Sequence, residues 1–107
     1  GMSKILWSGA SAAGATITLD ENFRNFKFLT CVIGSSSSPY GITLGAFLDD
    51  SVTELHFFAS TVITGTTVGK DFYVAKFNVV DKTKLSLSVC VTATNTQAYV
   101  RKIVGWR

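Results

Sequence analysis

Hydrophobic and small polar residues alternate most regularly towards the end of the sequence. Between Leu85 and Ala93 every second residue is aliphatic, and the residues between them are Ser, Cys or Thr. Successive side chains of a strand point to opposite faces of a sheet, so this period of two predicts a strand. Its aliphatic side chains, Val89 among them, are expected to face a core.

The segment Phe72–Val80 alternates in the same way, with Tyr73, Ala75, Phe77 and Val79 predicted on one face. The polar residues Asp81–Lys84 separate it from the Leu85 strand. Two alternating segments joined by a short polar stretch predict a β-hairpin.

Two further segments are apolar at nearly every position, namely Phe26–Ile33 and Leu55–Ala59. A strand that is apolar on both faces is either central in its sheet or in contact with another subunit. Both alternatives remain open from the sequence.

Shorter strands are predicted where β-branched and aromatic residues cluster, and Gly- and Ser-rich stretches separate them. The acidic segment Asp20–Asn25 is long enough for no more than one helical turn.

Many short strands with no helix-length segment between them predict an all-β protein, an antiparallel, jelly-roll-like β-sandwich of about eight or nine strands. One domain is expected over residues 2–107, with Gly1 interpreted as the remnant of a removed tag. The shorter strands are expected at Lys4–Ser8, Ala15–Leu19, Ile42–Leu48, Thr61–Thr64 and Tyr99–Trp106.

Composition adds a constraint on the surface. Of the 107 residues, 47% are hydrophobic and only 16% are charged, a balance opposite to that of disordered chains. The low charge favours a surface partly covered by other chains. The net charge of +3 comes from scattered residues, which disfavours nucleic acid as a partner.

No signal peptide or membrane-inserted segment is predicted, and Cys31 and Cys90 are expected to be reduced core thiols.

Residues capable of catalysis or metal binding are few. His56 is the single histidine, and its nearest acid in sequence is Glu54 on the same strand face. Asp49 and Asp50, with Glu54 nearby, form the one acidic cluster, which could contribute oxygen ligands to calcium but is more typical of a solvated turn. We therefore expect no catalytic residues, no metal site and no cofactor.

Aromatic residues are better candidates for contacts with a ligand. Trp7 and Trp106 lie near the two ends of the chain, and Tyr40 lies in the polar loop Ser35–Tyr40. Exposed aromatic rings stack on sugar rings and also anchor protein interfaces. Tyr40, Trp106, Trp7, Asp49 and Asp50 are the predicted ligand-binding residues.

Motifs at both ends of the chain resemble a recurrent module of phage and prophage tail proteins. The start reads KILWSG over Lys4–Gly9 and GATITL over Gly14–Leu19, and NFRNF follows at Asn22–Phe26. The end reads YVRKIVGWR over Tyr99–Arg107. These motifs are similar to those of tail-fibre or baseplate head-type modules.

The resemblance implies a non-catalytic virion structural protein that forms homotrimers. It also implies contacts with other tail proteins and with a receptor, such as a saccharide, on the host surface. Such a protein is expected in the virion, or in the bacterial cytoplasm during assembly. A monomeric carbohydrate-binding or adhesion domain of a larger assembly is the main alternative. An enzyme built around His56 or the Asp49–Asp50 pair is a weaker one.

Overall fold

The computed structural model describes residues 2–34, 41–42, 45–47, 51–60 and 72–107. Tyr40, Asp49, Asp50 and the strand expected at Thr61–Thr64 lie outside these residues. Within them the chain forms one short 3₁₀ helix, Phe23–Asn25, and otherwise strands. The strands are β1 (Ser3–Ser11), β2 (Thr16–Thr18), β3 (Phe28–Gly34), β4 (Gly41–Ile42), β5 (Ala46–Phe47), β6 (Glu54–Ser60), β7 (Phe72–Asp81), β8 (Lys84–Thr92) and β9 (Tyr99–Trp106).

The strands form two antiparallel sheets. Sheet A has the order β1-β9-β3, and the two-residue strands β4 and β5 both pair with the other side of β3. Sheet B has the order β2-β8-β7-β6. The predicted all-β sandwich is confirmed. The nested pairing of β1 with β9 and of β2 with β8 is of the kind found in jelly rolls, whereas β6, β7 and β8 follow one another as a meander.

The inner faces of the two sheets bury one continuous hydrophobic cluster. Every second side chain of β3 is fully buried, as the two-residue period requires. Phe23 of the 3₁₀ helix and Phe26, which follows it, close one part of the cluster. Members from sheet A include Leu6, Leu29, Cys31, Ile33, Val100 and Ile103, and members from sheet B include Ile17, Leu55, Phe57, Ala75, Phe77, Leu85, Leu87 and Cys90.

Strand β7 and the turn after it match the sequence prediction. Ala75 and Phe77 are fully buried, and Tyr73 and Val79 pack against the core from the same face. The hairpin turn is held by Asp81, whose Oδ1 accepts a hydrogen bond from the Thr83 backbone N–H at 2.9 Å. This bond lowers the pKa of Asp81 below its ordinary value.

The prediction for β8 is correct in its first half and wrong in its second. Lys76 pairs with Val89 while the next residue, Phe77, pairs with Leu87, so Ser88 is an extra residue in β8. Such a bulge shifts the alternation by one position. Val89, predicted to face the core, is 37% exposed, and Cys90 is buried in its place.

The two strands that are apolar on both faces have different positions. Strand β3 is central, with β9 on one side and β4 and β5 on the other, and it begins at Phe28 because Phe26 caps the 3₁₀ helix. Among the described strands, β6 is at the end of the order of sheet B, with β7 as its neighbour. Contact of β6 with another subunit stays a prediction.

Candidate functional site

The outer face of sheet B carries a group of apolar side chains that crosses three strands. Phe58 of β6 lies opposite Val74 of β7, which lies opposite Val91 of β8. Phe58 is 57% exposed, and its ring centroid is 5.1 Å from that of Phe72 at an interplanar angle of 35°. Val89 continues the group along β8. We call these five residues the sheet B patch.

Inner and outer positions alternate across these strands, which explains the patch. Phe57, Ala75 and Cys90 are cross-strand partners and are buried. Their neighbours in sequence therefore point away from the core. Exposed apolar side chains that adjoin one another across strands are characteristic of interaction sites.

Three ionisable side chains form the next rows of the same face. His56 Nε2 lies 3.0 Å from Glu54 Oε2, and Lys76 Nζ lies 3.5 Å from Glu54 Oε1. The hydrogen bond with His56, followed by the positive charge of Lys76, lowers the pKa of Glu54. We call Glu54, His56 and Lys76 the polar triplet.

The triplet brings together the His56 and Glu54 that the sequence places on one strand face. Both side chains are largely exposed on an open sheet surface. An exposed contact of this kind contributes little to stability, but it sets the local pattern of polar groups. It is a surface feature that a binding partner could contact.

Trp106 lies on the outer face of the other sheet. Its ring is stacked on that of Phe28, with centroids 6.0 Å apart and an interplanar angle of 8°. Its indole Nε1–H donates a hydrogen bond to Thr30 Oγ1 at 2.9 Å. The ring is therefore held in one orientation against the sheet.

Trp7 points to the opposite side of sheet A. It pairs with the buried Ile103 and packs against the edge of the core. Its ring also lies over Gly9, where an added Cβ would be 2.7 Å from Trp7 Cζ2. Trp7 and Trp106 therefore do not share a site, although both were predicted as ligand contacts.

The other three predicted ligand-binding residues, Tyr40, Asp49 and Asp50, lie outside the described residues. Their role stays a prediction. The sheet B patch was not among the predicted ligand contacts. The sequence does contain a signal for the patch, namely the apolar run Leu55–Ala59. For a strand that is apolar on both faces, contact with another subunit is one of the two predicted explanations.

No cluster of three or more His, Cys, Asp or Glu side chains that could hold a metal ion occurs in the described part of the chain. Among the same residues, no helix has the length and apolar character needed to cross a membrane. No family model matches the chain, and no curated protein matches its sequence.

Proposed function

We propose that the chain is a non-catalytic structural module of a phage or prophage tail, which assembles with copies of itself and contacts a receptor on the host surface. The observation that carries this proposal is the sheet B patch, where Phe58 is 57% exposed among neighbouring apolar side chains. A large ring exposed among neighbouring apolar side chains is stabilised when another protein covers it.

The motifs behind the resemblance to tail modules lie in neighbouring parts of the sandwich. KILWSG falls in β1, and the terminal YVRKIVGW is β9, its partner in sheet A. The ITL segment falls in and just after β2, which pairs with β8. The motifs thus form both strands of one pair and one strand of another, which supports a shared module architecture.

The expected assembly is a homotrimer in the virion, in contact with other tail proteins. Receptor contacts, with a saccharide as the expected ligand, are proposed for the loops Ser35–Tyr40 and Asp49–Val52. Loops carried by a rigid scaffold are common positions for binding residues.

Light scattering coupled to size-exclusion chromatography tests the assembly. We expect a mass three times that of the 11.5 kDa chain, maintained on dilution. A monomer at the highest attainable concentration would contradict the proposal and would favour the alternative below.

The alternative is a monomeric carbohydrate-binding or adhesion domain. The Trp106–Phe28 pair on the outer face of sheet A favours it, because half-buried, oriented aromatic rings can stack on sugars. Under this alternative, Trp106→Ala abolishes glycan binding by a chain that remains monomeric, whereas the tail-module proposal requires the oligomer.

A further inference from the structure

The sheet B patch and the polar triplet occupy adjacent rows of one surface. His56 lies opposite Lys76, and Lys76 lies opposite Val89 of the patch. Glu54, one row further out, contacts both basic side chains. The surface therefore combines an apolar centre with a border that carries both signs of charge.

This combination limits the kind of occupant. Nucleic acid and anionic membranes select continuous positive charge, which Glu54 interrupts. A purely apolar ligand would leave the triplet unused. A protein surface with an apolar centre and charges of both signs at its border fits both parts, and such a centre and rim are typical of protein interfaces.

The same face of a second copy also has an apolar centre and charges of both signs at its border. When copies meet about a symmetry axis that passes near Phe58, the patches cover one another. Off the axis, the Glu54 carboxylate of one copy can approach Lys76 and His56 of the next. The charges are then complementary between copies, as they already are within one copy.

We propose that the outer face of sheet B is the surface through which copies of this chain associate, with Phe58 in its apolar part and the polar triplet at its border. This assignment rests on the proposed function, which requires a homo-oligomer. It adds which face is covered and leaves the outer face of sheet A and the loops for other contacts.

A matched pair of substitutions tests the face. Phe58→Glu places a charge in the sheet B patch, whereas Ile5→Glu makes the equivalent change at the outer face of sheet A, where Ile5 is 52% exposed. We expect Phe58→Glu to weaken association about 30-fold or more, as central interface residues do, and Ile5→Glu to leave it unchanged. Circular dichroism and thermal melts establish that both variants fold.

Charge reversal tests whether the occupant is a second copy. Lys76→Glu makes the border mainly acidic, and Glu54→Lys makes it entirely basic. Each variant alone is expected to associate more weakly than the wild-type chain, because like charges then meet. In a mixed trimer two of the three interfaces join opposite charges, so an equimolar mixture of the two is expected to associate more strongly than either variant alone, measured by light scattering at low salt.

The outcomes separate this assignment from the proposed function. A wild-type chain that is monomeric contradicts both. An oligomeric wild-type chain whose mass is unaffected by Phe58→Glu, or equally reduced by Ile5→Glu, contradicts the assignment of the face alone. Failure of the mixed charge variants to associate contradicts the contact between triplets of neighbouring copies.

Discussion

Gly105 is required by the side chain that lies over it. A Cβ added at Gly105 would be 2.6 to 2.8 Å from three atoms of the Phe26 ring. The guanidinium carbon of Arg107 lies 4.5 Å from the centroid of the same ring. The terminal Gly-Trp-Arg therefore has a packing role, with Gly105 beneath Phe26, Arg107 over its ring and Trp106 on the outer face.

Gly105→Ala is expected to destabilise the fold by about 1–3 kcal/mol, because the buried Phe26 ring must move to make room for a methyl group. Chemical denaturation followed by tryptophan fluorescence measures the change. Ser8→Ala, at an exposed position of β1, is the control and should change the free energy of unfolding by less than about 0.5 kcal/mol. Equal unfolding midpoints for the two variants would show that Phe26 does not constrain Gly105.

The residue scale also explains why the sequence groups two tryptophans that the structure separates. Trp7 and Trp106 look alike in sequence, both near a chain end beside Gly residues. A bulge in β1 between Ile5 and Trp7 turns Trp7 to the core side, whereas Trp106 faces outwards beside Phe28. The direction of a side chain next to a bulge depends on strand pairing, which the local sequence does not specify.

At the scale of elements, the sequence predicted where strands lie better than which way their residues face. The period of two identified β7 and β8 closely, and a cluster of β-branched and aromatic residues identified β9, because strand formation follows local patterning. The extra residue at Ser88 could not be predicted, because either Val89 or Cys90 is apolar enough to fill the core. Pairing with β7, where Ser88 Oγ donates to the Lys76 carbonyl at 3.1 Å, decides between them.

Thiol reactivity provides a test of this bulge. Burial raises the pKa of Cys90 to about 11 from an ordinary 9.0. Burial, followed by the nearby Cys90, also raises the pKa of Cys31 well above 9.0. At a given pH, raising the Cys90 pKa by two units leaves about 100-fold less reactive thiolate at Cys90. Both buried native thiols should therefore resist alkylation and react only after unfolding. Val89→Cys, made together with Phe58→Glu so that no second copy covers it, should add one rapidly labelled thiol.

Mass spectrometry after timed exposure to iodoacetamide counts the labelled thiols. The Phe58→Glu protein with Val89 intact is the control and should remain unlabelled while folded. Rapid labelling of Cys90 in that control, with slow labelling of the introduced thiol at position 89, is the result that uninterrupted alternation would give. It would show that the bulge is absent.

At the scale of the whole molecule, one carboxylate links the beginning and the end of the described chain. Glu21 Oε1 accepts a hydrogen bond from Lys4 Nζ at 2.9 Å and lies 3.6 Å from Arg107 Nη2. Its other oxygen accepts a hydrogen bond from Asn25 Nδ2 at 2.9 Å. The hydrogen bonds from Asn25 and then Lys4 lower the pKa of Glu21.

A carboxyl group whose pKa is lowered by folding stabilises the folded state above its unfolded pKa, and the contribution disappears as the pH falls through the folded value. Glu21→Gln should therefore lower the melting temperature at neutral pH, and the difference from the wild-type chain should shrink between about pH 5 and pH 3. Asp20→Asn, which neutralises the exposed neighbouring acid, controls for the change in net charge. Melting curves followed by circular dichroism across this range measure both differences. If the Glu21→Gln difference stays constant with pH, or if Asp20→Asn reproduces it, the ionised Glu21 does not hold the two ends of the sandwich together.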